Sequence, residues 1–138
     1  MLNQSGIKKT TGAAPVQILF NVQNQMSVGI KLAKNFAGAV TENGRKIVKA
    51  GTPLSGDLTA RGTVFVAAKD ETTPGTSGDG KPAVGILLHD VDVTDDAANA
   101  TLLIWGFVNL SRVDSTTQGL ITDNRKNELA GKVWFLKD

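Results

Sequence analysis

The chain contains no cysteine, which excludes disulfides and all thiolate-based metal, iron–sulfur or nucleophilic chemistry. It also lacks tyrosine, and it carries only two tryptophans, five phenylalanines and one histidine, His89. Ring stacking and imidazole chemistry therefore have few places to act. No apolar run approaches the ~18 residues of a membrane span. Met1 leads into Leu2-Asn3-Gln4-Ser5-Gly6, without the charged start and apolar centre of a signal peptide. A protein made and used in the cytoplasm, or in something assembled there, is expected, with no membrane partner. No phosphate-cradling Gly-x-x-x-x-Gly-Lys-Ser/Thr or dinucleotide-type Gly-x-Gly-x-x-Gly pattern opens a predicted helix. No Gly-x-Ser-x-Gly elbow presents a serine nucleophile.

What is present suits one folded core. The 138 residues are 41% hydrophobic and 20% charged, well away from compositions that bury too little apolar surface to fold. The net charge of +2 hides an asymmetry: residues 1–50 hold seven Lys/Arg and one acid, about +6, while residues 51–138 hold eight against twelve acids, about −4. Solvated, uneven charge is one explanation; a basic arm laid on an acidic partner is the other. Nucleic acid is not the expected partner, because only Phe20 and Phe36 could stack on bases in the basic half.

Residues 1–15 lack an apolar period and end at Pro15, so they read as an extended N-terminal arm before a single β-rich domain, residues 16–138. Val16, Ile18, Phe20 and Val22 alternate with polar residues as in a half-buried strand, and Met26 to Leu32 alternates again. Asn43-Gly44 suits a tight hairpin turn, since both residues tolerate positive φ. Ala50 to Leu54 reads as a turn, and residues 63–68 and 84–88 as short apolar strands. Between those strands, residues 70–82 are too rich in Gly, Pro and small polar residues to pack and predict a mobile surface loop. Thr101 to Leu110 is apolar on both alternating faces, which predicts a strand buried on both sides, or on one side with a neighbouring subunit over the other. Residues 122–130, ending at Gly131, predict one short helix, and Lys132 to Leu136 a closing strand. The fold class expected is mainly β (α+β).

Ionisable groups crowd only at His89-Asp90-Val91-Asp92-Val93-Thr94-Asp95-Asp96. An EF-hand register starting at Asp90 fails, because its glycine position is Asp95 and its bidentate glutamate position is Thr101. The run reads instead as a strand entering a solvated acidic turn. No metal ligand set, catalytic residue or cofactor site is assigned; a small hydrolase acting at His89 is the enzyme alternative. Trp105 and Trp134 lie within apolar strands and read as core packing, with a sugar platform as the alternative.

The order of a Pro53-Leu54 turn, a polar loop, the Ala83-Val84-Gly85-Ile86-Leu87-Leu88 strand, an acidic turn, a strand entering Gly106-Phe107-Val108-Asn109 and a late helix at 123–131 carries a resemblance. Over residues 45–138 the chain resembles the lambda-type head decoration proteins and related head fibre proteins of tailed bacteriophages. The resemblance implies a β-rich, non-enzymatic, cofactor-free virion protein on the outer surface of an expanded capsid. There it would cement neighbouring capsomers, often as a trimer. Its partners would be the major capsid protein and further copies of itself. Residues 1–22 would pair with capsid subunits as an added strand, with Lys8, Lys9, Val16, Ile18 and Phe20 as capsid contacts. Trp105, Phe107 and Trp134 would serve subunit packing. A head fibre or adhesion module binding host-surface glycan is the alternative function.

Overall fold

A computed structural model describes residues 17–137; the predicted arm, Lys8, Lys9 and Val16 lie outside the described residues. The described chain is mainly β. Its strands are β1 (Met26–Leu32), β2 (Val40–Glu42), β3 (Arg45–Val48), β4 (Pro53–Ser55), β5 (Val64–Ala67), β6 (Gly85–Leu87), β7 (Val91–Asp92), β8 (Ala98–Asn109) and β9 (Val133–Leu136). Two short helices, α1 (Ser115–Gln118) and α2 (Asp123–Glu128), lie between β8 and β9.

Pairing runs β8–β1–β5–β4–β6 and returns from β6 to β8, so five strands close a ring, which leaves fewer open sheet edges. β9 adds in parallel beyond the ring, against the C-terminal part of β8, with Trp134 in register with Phe107. β2, β3 and β7 form a separate three-stranded sheet. The β2–β3 hairpin turns at Asn43 (φ 52°) and Gly44 (φ 78°), as the Asn-Gly pair predicts.

β6 and β8 form the wall between two apolar cores. On the ring side, Leu87, Ala100 and Leu102 pack with Ile30, Leu32, Leu54 and Phe65, joined by Val48, Val91 and Val93 from in and around the small sheet. On the other side, Ile86, Leu103 and Val108 pack with Ile18, Leu19, Val113, Leu129 and Val133. The doubly apolar sequence of β8 is thereby explained over its first part: neighbouring residues serve different cores. The wall is tight at Gly85, where a Cβ would lie 2.6 Å from the Leu103 carbonyl oxygen and 2.6 Å from Leu102 Cγ.

The helix predicted at 122–130 forms over Asp123–Glu128, with the Thr122 hydroxyl accepting from the Arg125 N–H at 3.4 Å. α1 is an additional helix: Asp114 caps it by accepting from the Thr117 N–H at 3.2 Å. The turn predicted at 50–54 contains a strand, because Pro53 begins β4, where a missing N–H costs no ladder bond.

The regular strand predicted from Val16 to Val22 is replaced by a short pairing. Leu19 bridges Val108, the Phe20 N–H donates to the Phe107 carbonyl at 2.7 Å, and the Asn109 N–H donates to the Ile18 carbonyl at 2.8 Å. The Asn21 side chain then accepts from the Gln23 and Asn24 N–H groups at 2.9 and 3.2 Å, bending the chain out of the sheet. Ile18 and Leu19 are both 1% exposed while Phe20 faces out, so the predicted alternation of Ile18 and Phe20 on one face does not hold.

Candidate protein-interaction surface

The C-terminal part of β8 lies between residues 18–20 and β9, and its outer face is built of rings. Strand alternation sends Trp105 and Phe107 outward while Gly106 and Val108 are buried beneath. β9 repeats the pattern, with Trp134 and Leu136 outward and Val133 buried. Phe20 stands opposite Phe107 from the other margin, and Met26 is the cross-strand partner of Trp105. Phe107 stacks on Trp134 (centroids 5.1 Å, interplanar angle 20°), and Trp105 meets Trp134 edge-on (6.2 Å, 86°) and Phe107 edge-on (6.1 Å, 74°). Such offset and T-shaped pairs fix the rings against one another.

These rings are held but not covered. Trp105 is 40% exposed, Trp134 39%, Phe20 49%, Met26 57% and Leu136 43%. The core-packing assignment of the two tryptophans is thus corrected: residues buried elsewhere in β8 face one of the two cores, whereas Trp105 and Trp134 lie on the side that neither core reaches. The six side chains carry no charge. A sugar platform pairs a ring face with polar groups at its edge, and the residues flanking these rings on the same face, Phe20, Met26 and Leu136, are apolar.

Of the other residues singled out from sequence, Ile18 is committed to the chain's own core, and Phe20 is the described capsid-contact candidate that reaches the surface. Met26 and Leu136 join the face without having been anticipated. The alternation Trp134–Leu136 was a readable signal for Leu136; the pairing of Met26 with Trp105, far along the chain, was not.

The acidic run around His89 is spent on internal pairing. Arg45 reaches Asp92 through Nε and Asp95 through Nη2, both at 2.8 Å, and Lys49 reaches Glu42 at 3.1 Å and Asp90 at 3.2 Å. Asp90 also accepts from the Ala50 N–H at 2.7 Å. Arg45, then Thr94, pull the Asp92 carboxyl down to about 2. Partial burial opposes the charge on Lys49, but its bonds to Glu42 and Asp90 outweigh that and raise its pKa. Two of the seven basic residues of the first fifty, Arg45 and Lys49, are in this way matched by acids in and beside the small sheet. Among the described residues no three His, Asp or Glu side chains converge to hold a metal ion. His89 is exposed on the turn between β6 and β7, with its sequence neighbour Asp90 already engaged.

The 70–82 stretch is exposed, as its composition predicts, and is tied to itself. Asp79 accepts from the Thr72 N–H at 2.9 Å and the Ser77 hydroxyl at 2.6 Å, and Glu71 accepts from the Gly78 N–H at 3.0 Å. The Ser77 and Thr72 donors hold the Asp79 carboxyl well below the usual carboxylate range. At the loop's foot, Arg125, 3% exposed, pairs with Asp70 and with Glu128 (3.2 Å), while Glu128 accepts from the Ala83 N–H at 2.9 Å. An open cleft of about 540 Å³ between this loop and α2 is lined by Lys69, Glu71, Lys81 and Asn124 among others. Arg125 had no sequence signal, because Asp70 lies far away along the chain.

The site this fold defines is an uncharged, partly exposed face of mutually packed rings on a mainly-β chain. Compared with protein-family models and with curated proteins, the chain has no match. Among the described residues no helix is long and apolar enough to cross a membrane.

Proposed function

We propose that the chain is a virion structural protein of the decoration type, binding the exterior of an expanded phage capsid and cementing neighbouring capsomers. The observation that carries this proposal is the uncovered aromatic face, since surface of this kind is suited to covering by other polypeptide and poorly suited to substrate chemistry. The resemblance of residues 45–138 to head decoration proteins supplies the partner, the major capsid protein. Attachment as an oligomer, a trimer in the family it resembles, would multiply weak contacts into stable binding. The segment preceding Gln17 would make the shell contact by strand addition, with Lys8 and Lys9 at its rim. Of the described candidates, Ile18 is buried and takes no part, which leaves Phe20.

The test is co-sedimentation of the purified chain with empty phage shells. It should add to expanded shells and stay off unexpanded ones; binding to neither form would overturn the proposal. The exposure of Trp105 and Trp134 is the one observation that favours the glycan-binding alternative, and glycan-array binding lost on Trp105→Ala with the fold intact would establish it.

A further inference from the structure

We propose that the open edge of β1 at Gly29 binds an extended, acidic segment of another polypeptide, which adds to the sheet as a short strand. This site uses neither the aromatic face nor the segment preceding Gln17, so the inference stands apart from the decoration proposal. The ladder shows where the edge lies. The Leu88 N–H donates to the Thr101 carbonyl at 2.9 Å, so Thr101 turns its backbone toward β6. Gly29, the partner of Thr101 across the β1–β8 pair, therefore turns its own N–H and carbonyl away from β8. On that side β5 pairs with β1 at Lys31 and Leu32 and reaches no further. At Gly29 the exposed Arg61 side chain takes the place of a strand, donating to the Gly29 carbonyl at 2.8 Å. One bond from a long, exposed side chain is readily exchanged for the backbone donor of an incoming strand.

Gly29 itself points the same way. It stands in the middle of a strand, where glycine costs stability. Neither a positive φ nor a crowding neighbour calls for it, since an added Cβ would meet nothing within 4 Å. Glycine in such a place marks the close approach of another backbone. An open hollow of about 700 Å³ lies here, between residues 29–31 and the 58–62 turn. The charged residues of its lining are Lys31 and Arg61, and among the described residues no carboxylate pairs with either. Leu58, 39% exposed, adds an apolar contact in the same hollow. Edge pairing supplies affinity for any extended chain, and the two unpaired cations select an acidic one.

The experiment titrates the full, isotope-labelled chain with a blocked hexapeptide of alternating glutamate and valine, followed by NMR. Expected are chemical-shift changes confined to β1 and residues 58–64, with slower exchange of the Gly29 amide. Gly29→Pro removes the edge donor without removing a bond to β8, and it should weaken binding by about tenfold or more. Lys31→Glu should weaken it roughly fivefold at low salt. Should Gly29→Pro fail to fold, the same peptide with alternate amides methylated, which cannot pair along an edge, is titrated into the unaltered chain. It should bind more weakly by about tenfold or more. No binding at millimolar peptide would overturn the inference. So would equal binding of the methylated peptide, or of a peptide alternating lysine and valine, because recognition would then rest on neither backbone pairing nor charge. Binding of a single-stranded oligonucleotide at these residues in place of the peptide would assign the two cations to phosphate and overturn it as well.

Discussion

One strand, β8, has two halves with different fates. From Ala98 to Leu103 it pairs with β1, and at Leu102 and Leu103 with β6 as well, where these two fully buried side chains face different cores. Trp105 still pairs with Met26 at the start of β1, and from Gly106 onward the strand is flanked by residues 18–20 and β9, with only one of its faces meeting a core. Both halves are written in similar apolar residues. Apolarity on two faces thus has two origins, a wall between cores and an uncovered outer face, and mutation separates them.

The largest effect should come from the first half. Leu103→Ala removes a fully buried side chain from the second core and leaves a cavity that its β-sheet surroundings close only partly. A loss of about 2–5 kcal/mol in unfolding free energy is expected, measured by urea denaturation. Trp134→Ala, in the other half, removes a larger side chain but one already 39% exposed. Its stacking on Phe107 and edge contact with Trp105 are worth about 1 kcal/mol. If Trp134→Ala proved as costly as Leu103→Ala in dilute solution, the distinction between wall and outer face would fail.

How far the sequence revealed these two halves can be judged residue by residue. The strand itself, the hairpin at Asn43-Gly44 and the helix capped by Thr122 were legible, because each depends on local periodicity or local backbone chemistry. The division of β8 was not. Whether Trp105 is covered depends on where β1 and β9 end beside it, which is a property of long-range register. The same limit hid β4, whose three residues are too few to show a period, and α1, whose Ser115-Thr116-Thr117 sequence has weak helix propensity and forms on the Asp114 cap. The charge asymmetry was visible as a count, but the pairing of Arg45 with Asp92 required knowing that β3 lies beside β7. Of the candidate face, Trp105, Phe107 and Trp134 could be named from sequence as subunit-packing candidates. Their convergence with Met26 and Phe20 could not.

The smallest effect, acid sensitivity, should leave both halves of β8 alone. No residue from Ala98 to Asn109 titrates. The small sheet, by contrast, is pinned by Arg45 on Asp92, whose carboxyl is lowered to about 2 from an ordinary 3.8. A depressed carboxylate binds its proton more readily in the unfolded chain than in the folded one. Its stabilising contribution is therefore complete above about pH 4 and is lost as pH falls toward 2. Asp79 acts in the same direction through Ser77 and Thr72. Because these groups are exposed and screened by salt, the loss should be modest. Amide exchange should quicken in β2, β3 and β7 between pH 4 and 2, while β8 amides, corrected for the intrinsic pH dependence, stay protected. Arg45→Met should return the Asp92 carboxyl, followed by NMR, toward its ordinary value and remove part of the acid dependence. A wild-type Asp92 that titrates near 4 would show that the small sheet is held by its apolar residues Val48 and Val91 alone, and the contrast between a charge-pinned sheet and a charge-free strand would dissolve.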